Sequence, residues 1–226
     1  MNISDDVFAL SWVADELFKA EGIENRLPVI GHIDGPWTRL CRAITWKEAL
    51  ALSADASALS CALEAYNGEI LSQIKQLEPD ERVVIADDIC SGAGWLLEPA
   101  VARGVLMPLY ECYVNAFDRM LGFHSDGNIS ELFPDLSAAG FHFVHLASVN
   151  YVDLPAIVHS AQAHALVPYG GVSTETISQG PLSSALRAML AELVQDQGLI
   201  VCDDAGLTTG EQLDAFLLEL SSIPLY

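Results

Sequence analysis

The sequence predicts an α/β domain built on a parallel sheet with helices on both faces. Short runs rich in β-branched residues alternate with longer stretches of helical spacing along the 226 residues. The runs are continuously apolar instead of alternating, as strands buried on both faces read. The chain is 51% hydrophobic and no Pro/Ser/Gly-rich linker or internal repeat divides it, so one core and a single domain over residues 1–226 are expected.

Ser4, Asp5 and Asp6 form a helix-start signal, and Leu10, Val13, Leu17 and Phe18 keep helical spacing up to Gly22. Pro28-Val29-Ile30-Gly31-His32-Ile33 reads as a buried strand that stops at the turn signal Asp34-Gly35-Pro36. Helical spacing resumes from Trp46 to about Leu77, interrupted near Asn67-Gly68, and a strand follows over residues 82–88. A helix from about Glu98 to Arg119 leads to a short strand ending at His124. A helix from Ile129 to Ala138 precedes a strand from Phe141 to Leu146. The next pairs are a helix near Leu154 to Ala163 with a strand from Ala165 to Tyr169, and a helix from Pro181 to Gln195 with a strand from Leu199 to Cys202. A last helix starts after Thr208 or Thr209. Six strands result, each followed by a helix. An open doubly wound sheet and part of a (β/α)₈ barrel both satisfy that alternation, and periodicity does not separate them.

The 31 acidic against 10 basic residues give a formal charge of −21, which repels phosphate backbones and anionic lipid headgroups. Nucleic acid and membrane surfaces are therefore not the expected partners. The five cysteines (Cys41, Cys61, Cys90, Cys112, Cys202) are odd in number and widely spaced with no CxxC pair, which favours a reducing cytoplasm and reads as buried small hydrophobes. No apolar run approaches the roughly 20 residues needed to cross a bilayer.

In either architecture ligands bind at the carboxyl ends of the strands, which turns those ends into a candidate rim. Asp34 follows the first strand, Asp87 and Asp88 close the second, and His124, Ser125 and Asp126 close the third. His145 and Asn150 lie at or after the fourth, Tyr169 with Gly170-Gly171 at the fifth, and Asp203 and Asp204 at the sixth. Carboxylates and imidazoles suit a divalent metal or acid/base work, and no GxGxxG or GxxxxGK[ST] phosphate loop is present. His124-Ser125-Asp126-Gly127-Asn128 is the most informative stretch, because a glycine turn after the strand can aim an imidazole and a carboxylate at one place. The competing reading makes His124 a core histidine and Asp126 a helix cap. Of Asp87-Asp88, one orders the next loop and the other faces the site. His32, His142, His159 and His164 read as structural.

Several segments together resemble the uroporphyrinogen decarboxylase-like superfamily. They are Gly31-His32-Ile33-Asp34-Gly35-Pro36-Trp37, Val84-Ile85-Ala86-Asp87-Asp88 followed by Leu97-Glu98-Pro99 and Met107-Pro108-Leu109-Tyr110, His124-Ser125-Asp126-Gly127-Asn128, and Gly170-Gly171-Val172. Their order and spacing are similar over about residues 25 to 220. The resemblance implies a TIM-type (β/α) barrel, N-terminally shortened to about six βα units, because family members are longer at that end. Either the sequence is a fragment, or the chain is intact and its open sheet edges are covered by a partner chain, in which case a homodimer is expected.

The family's activities are uroporphyrinogen decarboxylation and methyl transfer between a corrinoid protein and a small thiol or folate acceptor. The decarboxylase's arginine-rich N-terminal segment has no counterpart here, which favours the cobalamin-dependent methyltransferase branch. In that branch zinc is held by His-x-Cys and a distant Cys. His124 matches, while Asp126 stands in the first Cys position and Ala205 in the second, so the resemblance implies a harder His/Asp site for zinc or another divalent metal. The expected set is His124, Asp126 and Asp88 as catalytic residues, His124 and Asp126 as metal ligands, and Asp34, Asn128, His145 and Tyr169 against the substrate, with Asp204 as a further ligand candidate. The expected partners are a corrinoid-binding protein supplying the cobalamin and a small-molecule methyl donor or acceptor. A decarboxylase acting through Asp88 or His124, and a degenerate binding subunit, are the alternatives.

Overall fold

The computed structural model describes residues 9–10, 31–77, 83–117, 120–147, 151, 153–204 and 207–223. They fall in two compact units, Gly31–Val144 and His145–Tyr226 together with Met1–Ile30. The first strand, β1 (Ala9–Leu10), belongs to the second unit. Ala9 and Leu10, expected within a helix that starts near Ser4, are thus extended, and the remainder of that expected helix lies outside the described residues.

The unit Gly31–Val144 runs β2 (Gly31–Asp34), α1 (Pro36–Ala43), α2 (Trp46–Leu52), α3 (Ala56–Ile74), β3 (Val83–Ala86), a hairpin of β4 (Cys90–Ser91) and β5 (Gly94–Trp95), α4 (Pro99–Ala116), β6 (Leu121–His124), α5 (Phe133–Ala139) and the start of β7 (Phe143–Leu146). Asp34-Gly35-Pro36 begins a helix instead of a turn, since proline suits the first helical position, where no N–H partner is needed. The helix break falls at Ser53 to Asp55 and not at Asn67-Gly68. Asp55 accepts the N–H groups of Ser57 and Ala58 at 2.9 and 3.1 Å and so caps α3. Gly68 is carried through because Leu59, Leu63, Ile70 and Ile74 bury one face of that helix, outweighing the roughly 1 kcal/mol a helical glycine costs.

Strands β2, β3, β6 and β7 pair in parallel in that order. The register aligns Ile33, Ile85, Phe123 and Val144 on one face, and Asp34, Ala86 and His124 on the other at the carboxyl ends of their strands. Phe123 meets the rings of Tyr110 on α4 and Phe141 with centroids at 5.3 and 5.4 Å, so the first face is the helix-covered core. On the second face Phe143 lies across Gly122, where any Cβ would come within 2.2 Å of its ring.

The other unit runs from the end of β7 through α6 (Leu154–Ala163), β8 (Val167–Val172), α7 (Thr174–Gln179), α8 (Ser184–Gln197), β9 (Ile200–Asp203) and α9 (Gly210–Ser222). β8, β9 and β1 pair in parallel, with Tyr169 beside Ile200 and Leu10 beside Cys202. Strand β8 does not end at Tyr169. Gly170 and Gly171, at φ of 137° and 94°, carry it to Val172 through backbone that L side chains rarely adopt. Thr209 caps α9 by accepting the Gln212 N–H at 3.2 Å, which fixes the predicted start. Every pairing in the main strands of both units is parallel, as the apolar runs required. No helix among the described residues is long and apolar enough to cross a membrane.

Candidate metal centre at the ends of β3 and β6

Helix α1 opens with Gly35 at its N-cap, a residue with no side chain to satisfy the first-turn N–H groups. Asp87, just beyond β3 and fully buried, supplies the acceptors. Its Oδ1 takes the Thr38 N–H at 2.6 Å, and its Oδ2 takes the Trp37 N–H at 3.2 Å and the Tyr110 hydroxyl at 2.7 Å. Gly35 is required there because a Cβ would lie 2.3 Å from the Asp87 Cγ. Burial pushes the Asp87 carboxyl up to about 6, with the hydrogen bonds from Thr38, Tyr110 and Trp37 pulling the other way. Asp87 thus orders the loop, and Asp88 is left facing outward, half-buried.

Three further bonds fix this region, two joining the ends of β3 and β6 and one joining the β3 end to α1. The Asp87 N–H donates to the His124 carbonyl at 2.9 Å, the Asp88 N–H to the Thr38 hydroxyl at 2.9 Å, and the Asp126 N–H to Oδ1 of Asp88 at 3.1 Å. Buried Ser125 accepts the Ile89 and Cys90 N–H groups, both at 3.1 Å, and so ties the β4–β5 hairpin to the loop after β6. Gly127, at φ 82°, sits against the Ser91 backbone, where a Cβ would fall 2.1 Å from the carbonyl carbon.

Asp88, His124 and Asp126 are therefore brought together, each with one ligand atom within 4.8 Å of the others. Nε2 of His124 lies 3.7 Å from Oδ1 of Asp126, whose side chain is 70% exposed while that of His124 is 12% exposed. Burial first, and the neighbouring His32 second, hold the His124 imidazole down at about 4. It is neutral at neutral pH, the form in which imidazole binds a metal. Two donors at about 2.1 Å from one ion are at most about 4.2 Å apart, so small side-chain rotations bring all three onto a cation.

The remaining predicted residues are placed differently. The Asp34 carboxylate pairs with Arg42, while its carbonyl accepts the Arg39 Nε–H at 2.8 Å. Asn128 caps the turn after it, accepting the Ser130 N–H at 3.0 Å and hydroxyl at 2.7 Å. In the other unit, fully buried His145 places Nε2 at 2.8 Å from the Asp203 carbonyl and stacks on fully buried Tyr169 at 4.6 Å. Asp204 accepts the Thr174 N–H at 2.8 Å. Asn150 and Ala205 lie outside the described residues.

Of the histidines read as structural, His32, His142 and His159 are exposed and His164 half-buried, so the core histidine is His145. Among the cysteines only Cys90 and Cys202 are buried, while Cys61 and Cys112 are exposed, and none of the five forms a disulfide among the described residues. The reading from sequence missed Thr38 and the hairpin. The signal for Thr38 was the uncapped Gly35-Pro36 helix start, whose donors needed an acceptor from elsewhere in the chain.

No family model matches this chain, and no curated protein matches it. Among solved structures it is similar to a methyltransferase from Methanosarcina mazei, with TM-score 0.68 and 16% identity over 93% of this chain and 67% of that one. An enolase described as a putative galactarate dehydratase, from Agrobacterium radiobacter, gives TM-score 0.36 at 13% identity over 87% of this chain and 51% of that one. The first likeness shows a shared α/β fold.

Proposed function

We propose that the chain is a cytoplasmic methyltransferase of the uroporphyrinogen decarboxylase-like superfamily, a (β/α) barrel that moves a methyl group between a corrinoid protein and a small thiol or folate acceptor. The observation that carries the proposal is the meeting of Asp88, His124 and Asp126 at the carboxyl ends of two adjacent parallel strands, where such folds hold their chemistry. The fold shared with a methyltransferase supports it.

Two carboxylate oxygens and one neutral imidazole nitrogen fit a divalent cation of hard to borderline character, such as zinc, manganese or iron(II). The set contains no sulfur donor and so does not fit a zinc–thiolate centre. Asp88, His124 and Asp126 would hold the ion. A bound divalent cation supplies Lewis acidity that favours the deprotonated form of a thiol or other acceptor.

The protein's own residues do the rest. Asp88 is oriented by the Asp126 N–H, and His124 stays unprotonated across the physiological range. Methyl transfer to a thiol would break the cobalt–carbon bond, leave its electron pair on the corrinoid, form the S–CH3 bond and release the thiol proton, and the second carboxylate oxygen of Asp126, the exposed member, would accept that proton. Incubation of the metal-loaded protein with methylcobalamin and a small thiol tests the proposal. Loss of methylcobalamin absorbance faster than without protein, abolished by His124→Ala and Asp126→Asn, supports it. Loss at the protein-free rate contradicts it.

A further inference from the structure

We infer that Thr38 is the positioning residue of this site. Its hydroxyl carries the fixed geometry of the buried Asp87 cluster to the backbone of Asp88, and so aims the Asp88 carboxylate at His124 and Asp126. The inference rests on the metal-site reading above and adds to it a residue that no resemblance assigns.

Thr38 lies in the first turn of α1 and is 8% exposed. A hydroxyl oxygen offers two lone pairs, and this one uses a lone pair to accept the Asp88 N–H at 2.9 Å. The Asp88 backbone amide is thereby held toward the first turn of α1. The Thr38 N–H, at 2.6 Å from Oδ1 of Asp87, anchors the same residue from its main chain.

The far end of the chain of bonds is fixed as well. Asp87 is held by Trp37 and Tyr110, and its own N–H donates to the carbonyl of His124. Asp88 then accepts from the Asp126 N–H at 3.1 Å. His124 is thereby tied to the main chain of Asp87 and Asp126 to the side chain of Asp88, while Thr38, whose N–H bonds the Asp87 carboxylate and whose hydroxyl bonds the Asp88 N–H, is the link between that carboxylate and Asp88. Such outer-shell partners commonly set affinity at metal sites through orientation alone.

Co²⁺ binding to the full chain, followed by calorimetry and by visible absorption, tests the inference with Thr38→Val, which keeps the shape and removes the hydroxyl. The Co²⁺ dissociation constant is expected to rise about 10- to 100-fold, with a changed absorption band, and Thr38→Ser to restore both to within about threefold. Should the valine variant fail to fold, Thr38→Ala removes the hydroxyl without crowding the Asp88 N–H, and the same rise is expected. If folded Thr38→Val or Thr38→Ala binds Co²⁺ as the wild type does, the positioning role is overturned and the metal site stands. A wild type that binds no Co²⁺ overturns both.

Discussion

Asp126 donates its main-chain N–H to the side chain of Asp88 at 3.1 Å, so the residue that contributes one carboxylate also orients the other. This arrangement needs no long lid or inserted loop. It comes from two adjacent parallel strands, a glycine turn and a short hairpin, all in the unit Gly31–Val144. Sites held by rigid elements keep their geometry before a ligand arrives, and the bonds from Asp87 to His124 and from Thr38 to Asp88 extend that rigidity to every member of the trio.

Gly127→Ala strains a φ of 82° and drives a Cβ into the Ser91 backbone. We expect a loss of about 2–4 kcal/mol of stability, with Asp126 displaced from Asp88. Urea unfolding and the wild-type-to-variant ratio of Co²⁺ affinity check it. An unchanged midpoint would show that the loop and hairpin are not interlocked as described.

Tyr110→Phe keeps the ring that packs on Phe123 and Phe141 and removes only the hydroxyl that donates to Asp87 at 2.7 Å. A cost of about 1.5–3 kcal/mol is expected, as for a hydrogen bond to a charged group. The Asp87 carboxyl should titrate still higher, because one of the bonds that lowers it is gone. Chemical denaturation at pH 7 and carboxyl-resolved NMR titration measure the two effects.

The pH dependence carries two opposed contributions. His124 titrates near 4 when folded against 6.5 when unfolded, so the unfolded chain binds more protons between those values. Its contribution is present above about 6.5 and is lost as pH falls toward 4. Asp87 titrates near 6 when folded against 3.8 when unfolded, so its contribution is present below about 3.8 and is lost as pH rises through 6. Each amounts to on the order of 3 kcal/mol, and from pH 4 to 6 they offset one another. His124→Asn should therefore reveal a decline in stability with rising pH across that window. An unfolding profile with the wild type's shape would contradict the assignment, as would a wild-type His124 imidazole resonance that titrates near 6.5.

The fold was largely legible because its strands are continuous apolar runs, and the long-range fact of greatest use, parallel pairing, follows from that pattern. Helix starts marked by a side-chain cap, such as Thr209, could be placed to within a residue. The start at Pro36 could not, because the acceptor for its first turn lies 50 residues away in sequence, at Asp87. The same reason hid Thr38, whose partner Asp88 is equally distant. His124, Asp126 and Asp88 could be singled out because a strand end and a glycine turn are local signals. Asp34 and Asn128 are also at strand ends, but whether Arg42 or Ser130 occupies their oxygens depends on side-chain reach that spacing does not encode. Burial of His145 and Tyr169 likewise goes with their mutual stacking and with the Asp203 carbonyl, long-range contacts that spacing does not encode.

Anomalous diffraction at the zinc edge from crystals soaked in Zn²⁺ tests the central claim most directly. A peak within about 2.3 Å of an Asp88 oxygen, the His124 ring nitrogen and an Asp126 oxygen is the expected result, and it should vanish in His124→Ala crystals. An empty position between those three side chains, with zinc elsewhere or nowhere, would contradict the account.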